Sequence, residues 1–176
     1  DCVIKGGKKI SIFAFSSIKA ISKFTVEEIL EMGIDGFWIG YEGTRSNYAK
    51  QQGRPVPEIL TEFREHGITV LASMIVGFDY QNQEVVAKEL DGLMQLKPSL
   101  AQFLIYGPVP GTPFHERIIK DNLLQDHYTT DKDLFYRRAD GFRTMIKHPT
   151  LSPAQIEEMQ RWCFEQDFQR LGPSIY

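Results

Sequence analysis

The sequence predicts an α/β fold of parallel βα units forming part of a TIM-type barrel, followed by a C-terminal helical tail. Two observations carry this. Short apolar runs ending in small or polar residues alternate with amphipathic stretches at spacings of about thirty residues, a rhythm that gives right-handed βαβ crossovers and a parallel sheet. The amphipathic stretches also open and close on capping signals. Four units are counted, whereas a closed barrel needs eight strands. The chain is therefore either a small open α/β sheet or part of a barrel whose other strands lie outside it. Its start at Asp1, without methionine and close to the first strand, favours the second expectation.

The first strand is expected at 10–15 (ISIFAF), ending in Ser16 and Ser17. Thr25 and Glu28 then form a capping box before a helix that ends at Gly33. The second strand, 36–40 (GFWIG), runs into Tyr41, Glu42 and Gly43, and the next helix spans 57–66 and stops at Gly67. The third strand lies in 68–82 (ITVLASMIVGFDYQN), whose apolar run continues from Val70 to Phe78. Asn82 is the N-cap of a helix over 83–96, with Pro98 beyond its end. The fourth strand, 101–106, enters the loop 107–113 (GPVPGTP) and a short helix over 114–121. Residues 122–132 read as a polar linker, and 133–145 (DLFYRRADGFRTM) as a helix with Gly141 inside it. The last helix has Ser152 as N-cap, Pro153 in its first turn, Gln155 as capping-box partner, and Gly172 with Pro173 as its stop. Ile156, Met159, Cys163 and Leu171 form its apolar stripe, with Trp162 and Phe168 beside them.

Composition narrows the function. With 42% hydrophobic and 24% charged residues the chain is an ordinary globular polypeptide with enough length for one good core. A formal charge of -3 and a pI near 5.8 argue against non-specific nucleic-acid binding. No segment approaches the roughly 18 apolar residues of a membrane span. Cys2 and Cys163 stand far apart without a CxxC spacing, so neither a disulfide scaffold nor a cysteine metal site is expected within the chain. Reduced, cytoplasmic thiols are the default, and Cys163 reads as a small core hydrophobe. His66, His115, His127 and His148 are scattered without a metal-ligand spacing. No nucleophile and base pair of the kind a hydrolase needs stands out.

A ligand is expected at the end of the third strand. Strand alternation puts Ser73, Ile75, Gly77 and Asp79 on one face, and Met74, Val76 and Phe78 on the other. The first face is hollowed toward its C-terminal end, and parallel sheets take ligands beyond the C-terminal ends of their strands. A tight strand-to-helix turn that needs a glycine accounts for the same residues, and both readings stand at this point. In the 107–113 loop the prolines remove amide donors that a phosphate cradle needs, so it reads as a rigid wall or lid.

From about residue 10 to 124 the chain resembles the C-terminal half of the partial barrel of radical S-adenosylmethionine (SAM) enzymes, most closely the group that also carries a cobalamin-binding domain. Four segments carry the resemblance in order. SSIKAI (16–21) resembles the end of that barrel's third strand, and GFWIGYEG (36–43) resembles the fourth, with its glycine-isoleucine-glutamate-serine pattern. ASMIVGFDYQN (72–82) resembles the fifth-strand motif, and QFLIYGPVPGTPF (102–114) the sixth strand with its PGTP loop. HPTLSP (148–153) before the final helix is similar too. There are departures. Gly43 stands where the family has serine, and the GxIxGxxE motif appears as Ser73, Ile75, Gly77 and Tyr80. The CxxxCxxC loop is absent, and two remote cysteines cannot supply the three thiolates that a 4Fe-4S cluster needs.

The resemblance implies a fragment, with 1–124 as the C-terminal half of the barrel and 125–176 as a helical extension. The N-terminal half of the same enzyme is then its partner. The parent enzyme would use SAM, a 4Fe-4S cluster and, through another domain, cobalamin. It would cleave SAM reductively to a deoxyadenosyl radical for methyl transfer, rearrangement or cyclisation of an unknown small-molecule substrate. This chain would supply one wall of the SAM and substrate cleft and be inactive alone. The implied SAM-binding positions are Glu42, Ser73, Gly77, Asp79 and Tyr106. Glu42 would meet the ribose or amino group of SAM, with a pair to Arg45 as the plain alternative; Asp79 would accept from a ligand hydroxyl or from the amides of its own turn. Lys50 and Arg54 are expected to be solvated at the surface. A half barrel leaves a sheet edge and inner-face residues unpaired, so either a dimer of the chain or a tail helix laid over the sheet is expected. The competing reading is a self-contained small-molecule-binding α/β module without catalysis.

Overall fold

Four parallel strands, each bonded to the next in sequence order, form one sheet in the computed structural model, which describes residues 10–41 and 53–172. They are β1 (Ile12–Ser16), β2 (Ile34–Tyr41), β3 (Thr69–Val76) and β4 (Leu100–Ile105). The caps read from the sequence at Thr25, Asn82 and Ser152 start helices, and Ser17 and Thr112 cap two more. Ser17 Oγ accepts from Ala20 N at 3.3 Å and opens a single turn, α1 (Ile18–Ile21). The Thr25 and Glu28 box opens α2 (Val26–Glu31), and α3 (Val56–Glu65) follows Pro55. Asn82 Oδ1 accepts from Val85 N at 3.0 Å at the start of α4 (Gln83–Gln95). Thr112 caps α5 (Pro113–Lys120), and α6 (Asp126–Thr130) and α7 (Lys132–Arg138) follow. The Ser152 and Gln155 box begins α8 (Pro153–Leu171), which ends where Gly172 takes φ 84°.

Strand alternation and burial divide the sheet into two unlike faces. Rows such as Ile39, Ala72 and Ala101, or Tyr41, Met74 and Phe103, lie in register on the face covered by helices. Against them pack Ile29, Phe63, Val86, Leu90 and, from α8, Ile156 and Cys163, all buried in one core. Truncating a side chain such as the fully buried Phe103 to alanine would cost about 3–5 kcal/mol. The other face carries Phe15, Trp38, Leu71 and Leu100 in one row, and Gly40, Ser73 and Gln102 in the next. Phe15 stacks on Trp38 at 4.4 Å and is 75% exposed.

The tail helix lies over the sheet, packed on β3, β4 and α4. It also closes the edge of β4. Gln160 Nε2 donates to the Phe103 carbonyl at 2.7 Å and to the Gly141 carbonyl at 2.8 Å, while Ile105 N donates to Gly141 O at 2.7 Å. Backbone groups that an edge strand would leave free are thereby paired. A second, smaller core gathers Ile118, Leu124, Tyr128, Phe135 and Met145, and Leu124 bridges Ile146 antiparallel.

Several expected boundaries differ. The third strand ends at Val76 rather than Phe78, because Gly77 has φ 96° and turns the chain out of the sheet. The 16–21 segment is only in part a strand end, since residues 18–21 form α1. The stretch 122–132, expected as linker, contains α6, anchored by buried Tyr128. The helix expected over 133–145 stops at Arg138; Gly141, at φ 79°, turns its carbonyl to β4. Phe168 is 51% exposed and so lies off the apolar stripe of α8, on which buried Gln160 and Asp167 stand instead. Arg54 is not simply solvated, since it pairs with Glu62 at 2.7 Å.

Candidate functional sites at the C-terminal end of the sheet

Beyond β3 the chain is held by a side chain rather than by ladder bonds. Gln81, 2% exposed, accepts with Oε1 from Gly77 N at 2.7 Å and from Phe78 N at 2.9 Å. Its Nε2 donates to the Ile75 carbonyl at 3.1 Å and to Glu89 Oε2 at 2.7 Å. One carboxamide thus satisfies the turn's amides and ties them to a carboxylate on α4 that is itself 2% exposed. Tyr80 reaches Glu89 Oε1 at 3.5 Å. Burial, and then the negative charge of Glu89, push the Tyr41 phenol up.

His148 fixes the same turn from outside. Its Nε2 donates to the Phe78 carbonyl at 3.0 Å, while Nδ1 accepts from Thr150 N at 3.2 Å and Leu151 N at 3.0 Å. The two amide donors assign the proton to Nε2. Between these anchors runs an aromatic array. Tyr80 stacks on Phe78 at 5.5 Å, Phe78 meets Tyr106 at 4.5 Å, and Tyr106 stacks on Phe114 at 4.3 Å. The Arg117 guanidinium lies 5.4 Å above the Phe114 ring.

Two cavities flank Tyr106. One, of about 400 Å3, lies at the seam between the two cores. The other, of about 470 Å3, is lined by Ile75, Leu104 and the Pro108 and Pro110 loop, with Gly141 and Arg143 opposite. Of the five expected ligand positions, the structure brings Gly77, Asp79 and Tyr106 together around the seam cavity, and Tyr106 also lines the second. Ser73 is apart from them, 9% exposed on the face away from the helices. Glu42 lies outside the described residues, as do Arg45 and Lys50. The shared strand face expected for Ser73, Gly77 and Asp79 does not exist, because the strand ends before Gly77. A Cβ on Gly77 would point at Ile156 Cγ2, 3.1 Å away on α8.

Sequence reasoning missed four residues here. Glu89 had a local signal, a carboxylate on the apolar stripe between Val86 and Leu93. Arg117 had none until Phe114 was seen beneath it, and His148 depends on a contact with Phe78, seventy positions away. Gln102 shares a register row with Gly40 and Ser73, and its Oε1 is buried without a hydrogen-bond partner. Such an orphan costs about 1–3 kcal/mol unless something donates to it.

The side chains present do not fit an iron-sulfur cluster. Cys163 is fully buried and its thiol is pushed up to about 12 by desolvation, the opposite of a ligand thiolate. No group of three or more His, Cys, Asp and Glu able to hold a metal occurs among the described residues. Among them, too, no helix is long and apolar enough to cross a membrane.

A parallel α/β sheet with helices on one face and cavities at its C-terminal strand ends is the class that fold and sites define. No protein family profile matches the chain, and no curated protein does. Among solved structures, the fold is similar to that of the radical SAM methyltransferase TsrM from Kitasatospora setae, determined with cobalamin and a [4Fe-4S] cluster bound. The TM-score is 0.51 at 18% identity, over 86% of this chain and 29% of that one. The chain thus spans less than a third of that enzyme's length, and the likeness is one of fold.

Proposed function

We propose that this chain is the C-terminal part of the partial barrel of a radical SAM enzyme and supplies one wall of the cleft for SAM and a small-molecule substrate. The observation that carries the reading is the fold likeness to a radical SAM methyltransferase over 86% of the chain. The orphaned Gln102 Oε1 beside Ser73 supports it, because a ligand donor on that face would satisfy a group the protein leaves unpaired. Exposed Phe13 and Phe15 on β1 support it as well, as surface for the N-terminal half of the enzyme to cover.

In this reading SAM supplies the radical precursor when bound, and the cluster ligands and any cobalamin site come from other parts of the enzyme. The residues here bind, orient and exclude water. Ser73 and Gln102 offer hydrogen bonds at the middle of the face, with Ile75 and Leu104 as an apolar wall beyond them. Tyr106 completes the set at the end of β4, Asp79 stands at the rim, Gly77 acts through its backbone, and Glu42, which follows Tyr41 in sequence, is the further SAM contact that the resemblance implies.

The test is anaerobic reconstitution of the whole gene product beside the 176-residue chain, scoring iron and sulfide content and SAM-dependent formation of 5′-deoxyadenosine. The whole product is expected to cleave SAM, and Gln102→Leu to slow that cleavage without loss of fold. A whole product that holds no cluster, or a stoichiometric cluster retained by the 176-residue chain alone, overturns the proposal.

A further inference from the structure

The seam cavity is a second candidate site, separate from the face that carries Ser73 and Gln102, and its chemistry is legible. Its volume of about 400 Å3 lies within the range that small-molecule sites occupy. Its position between two cores is where ligand sites concentrate, because neither core fills the space alone. Its lining combines the stacked Tyr106 and Phe114 rings with the aliphatic side chains of Ile118, Ile146 and Ile156. A flat apolar group would find both ring and aliphatic surface to pack on.

The polar groups are few and unevenly charged. Arg117 and Lys147 line the cavity, against a single carboxylate, Asp79, which is exposed. Lys147 is already engaged, with Asp126 Oδ1 at 2.7 Å and the Asn122 carbonyl at 3.5 Å. His148 has both ring nitrogens committed to backbone groups. Arg117 has no carboxylate or carbonyl partner among the described residues, so its planar fork is held over Phe114 with its donors unspent. A guanidinium so placed matches a carboxylate by two parallel N–H···O bonds.

We propose that the seam cavity binds a small aromatic monocarboxylate, its ring packed against Tyr106 and Phe114 and its carboxylate on Arg117. The site is built from this chain's own residues and shares Gly77, Asp79 and Tyr106 with the SAM-binding set proposed above, but its test on the isolated chain reads carboxylate binding and not SAM cleavage, so the two readings fail separately. Because the cavity also touches Gly77 and Phe78, occupancy would clamp the turn after β3 to the helical extension.

The test is titration of the 176-residue chain with benzoate, and separately with benzamide and acetate, followed by the amide NMR signals of Gly77, Tyr106 and Ile146. Benzoate is expected to give saturable shifts at these amides with a Kd of roughly millimolar or below, as befits so small a ligand. Benzamide, which lacks the charge, and acetate, which lacks the ring, should each bind at least about tenfold more weakly. Arg117 is an exposed helix residue, so Arg117→Gln should leave the spectrum of the folded chain intact while weakening benzoate by about tenfold or more. Absence of saturable shifts at these amides, equal binding of benzamide or acetate, or unchanged benzoate affinity in folded Arg117→Gln would each overturn the assignment.

Discussion

Replacing Gly77 by alanine tests whether the end of β3 is built on backbone conformation. Gly77 sits at φ 96°, beyond the narrow left-handed well that side-chain-bearing residues tolerate. Holding an L-residue on that side of the map costs about 1–2 kcal/mol. The added Cβ would also lie 3.1 Å from Ile156 Cγ2 and 3.8 Å from Ile105 Cγ2, so the first turn of α8 must yield by a few tenths of an ångström. Together these predict a loss of about 2–3 kcal/mol, within the range for overpacked and strained sites. For a urea m value of about 2 kcal/mol/M, the midpoint falls by roughly 1 M with m unchanged. Part of the loss is steric and so depends on the neighbour. In an Ile156→Ala background the same change should cost about 0.5–1 kcal/mol less, a coupling typical of residues in contact. Gly77→Ala within about 0.5 kcal/mol of the parent would refute the backbone argument. Equal costs in the two backgrounds would refute the contact with α8.

Gln160→Leu removes the donor that Phe103 O and Gly141 O share; Gly141 O keeps Ile105 N, but leaving the Phe103 carbonyl unpaired should cost about 1–3 kcal/mol, and loss of the tie to Gly141 should speed hydrogen exchange at the Ile105 amide. Gln81→Leu frees the Gly77 and Phe78 amides and takes one donor from Glu89, so a loss of about 2–4 kcal/mol is expected in urea melts, and Glu89→Gln should be milder because an amide can still accept. Cys163 gives a pH signature. Its thiol titrates near 9.0 when unperturbed and at about 12 when folded, so above pH 9.0 the unfolded chain binds fewer protons than the native one. Stability should therefore be flat in this group below pH 8 and fall, by at most about 1.4 kcal/mol per pH unit, as pH rises from 9 toward 12. Cys163→Ala should lose that slope, and a parent and variant with parallel alkaline stability curves would contradict the burial argument.

What was legible in the sequence is what local chemistry determines. Thr25 with Glu28, Asn82, and Ser152 with Gln155 each announce a helix start within four residues, and each cap forms as read. Alternation of these helices with apolar runs was enough for a parallel sheet in sequence order. The errors fall where apolarity does not distinguish structures. Phe78 is buried whether it ends a strand or begins a turn, so the run from Val70 to Phe78 concealed the exit at Gly77. Within 122–132 only Tyr128 and two leucines mark α6 and the second core, too little for a periodic signal. At the sites the missing information is long-range. No neighbour of Gln81 in sequence says that its amide reaches Glu89, and no neighbour of Gln102 says that its oxygen lacks a donor.

The two edges of the sheet are finished in unlike ways, and the difference bears on how the chain is used. β4 is closed by chemistry brought from far along the sequence, a buried glutamine on α8 and a carbonyl at Gly141 that positive φ turns toward the strand. β1 has no such cover among the described residues. Apart from a register irregularity between Ile12 and Phe13, it carries neither the charges nor the prolines with which natural sheets blunt a free edge. Instead its side chains alternate toward a face where Phe13 and Phe15 are 48% and 75% exposed, with Trp38 stacked beside them. An edge that ended the sheet would be under pressure to lose such residues, because exposed aromatics on an unpaired strand invite association. An edge that continues into further strands is under the opposite pressure, since the same aromatics become core once the neighbour is in place. The asymmetry accords with the function proposed above, in which the sheet would continue past β1 and not past β4, toward barrel strands on the N-terminal side.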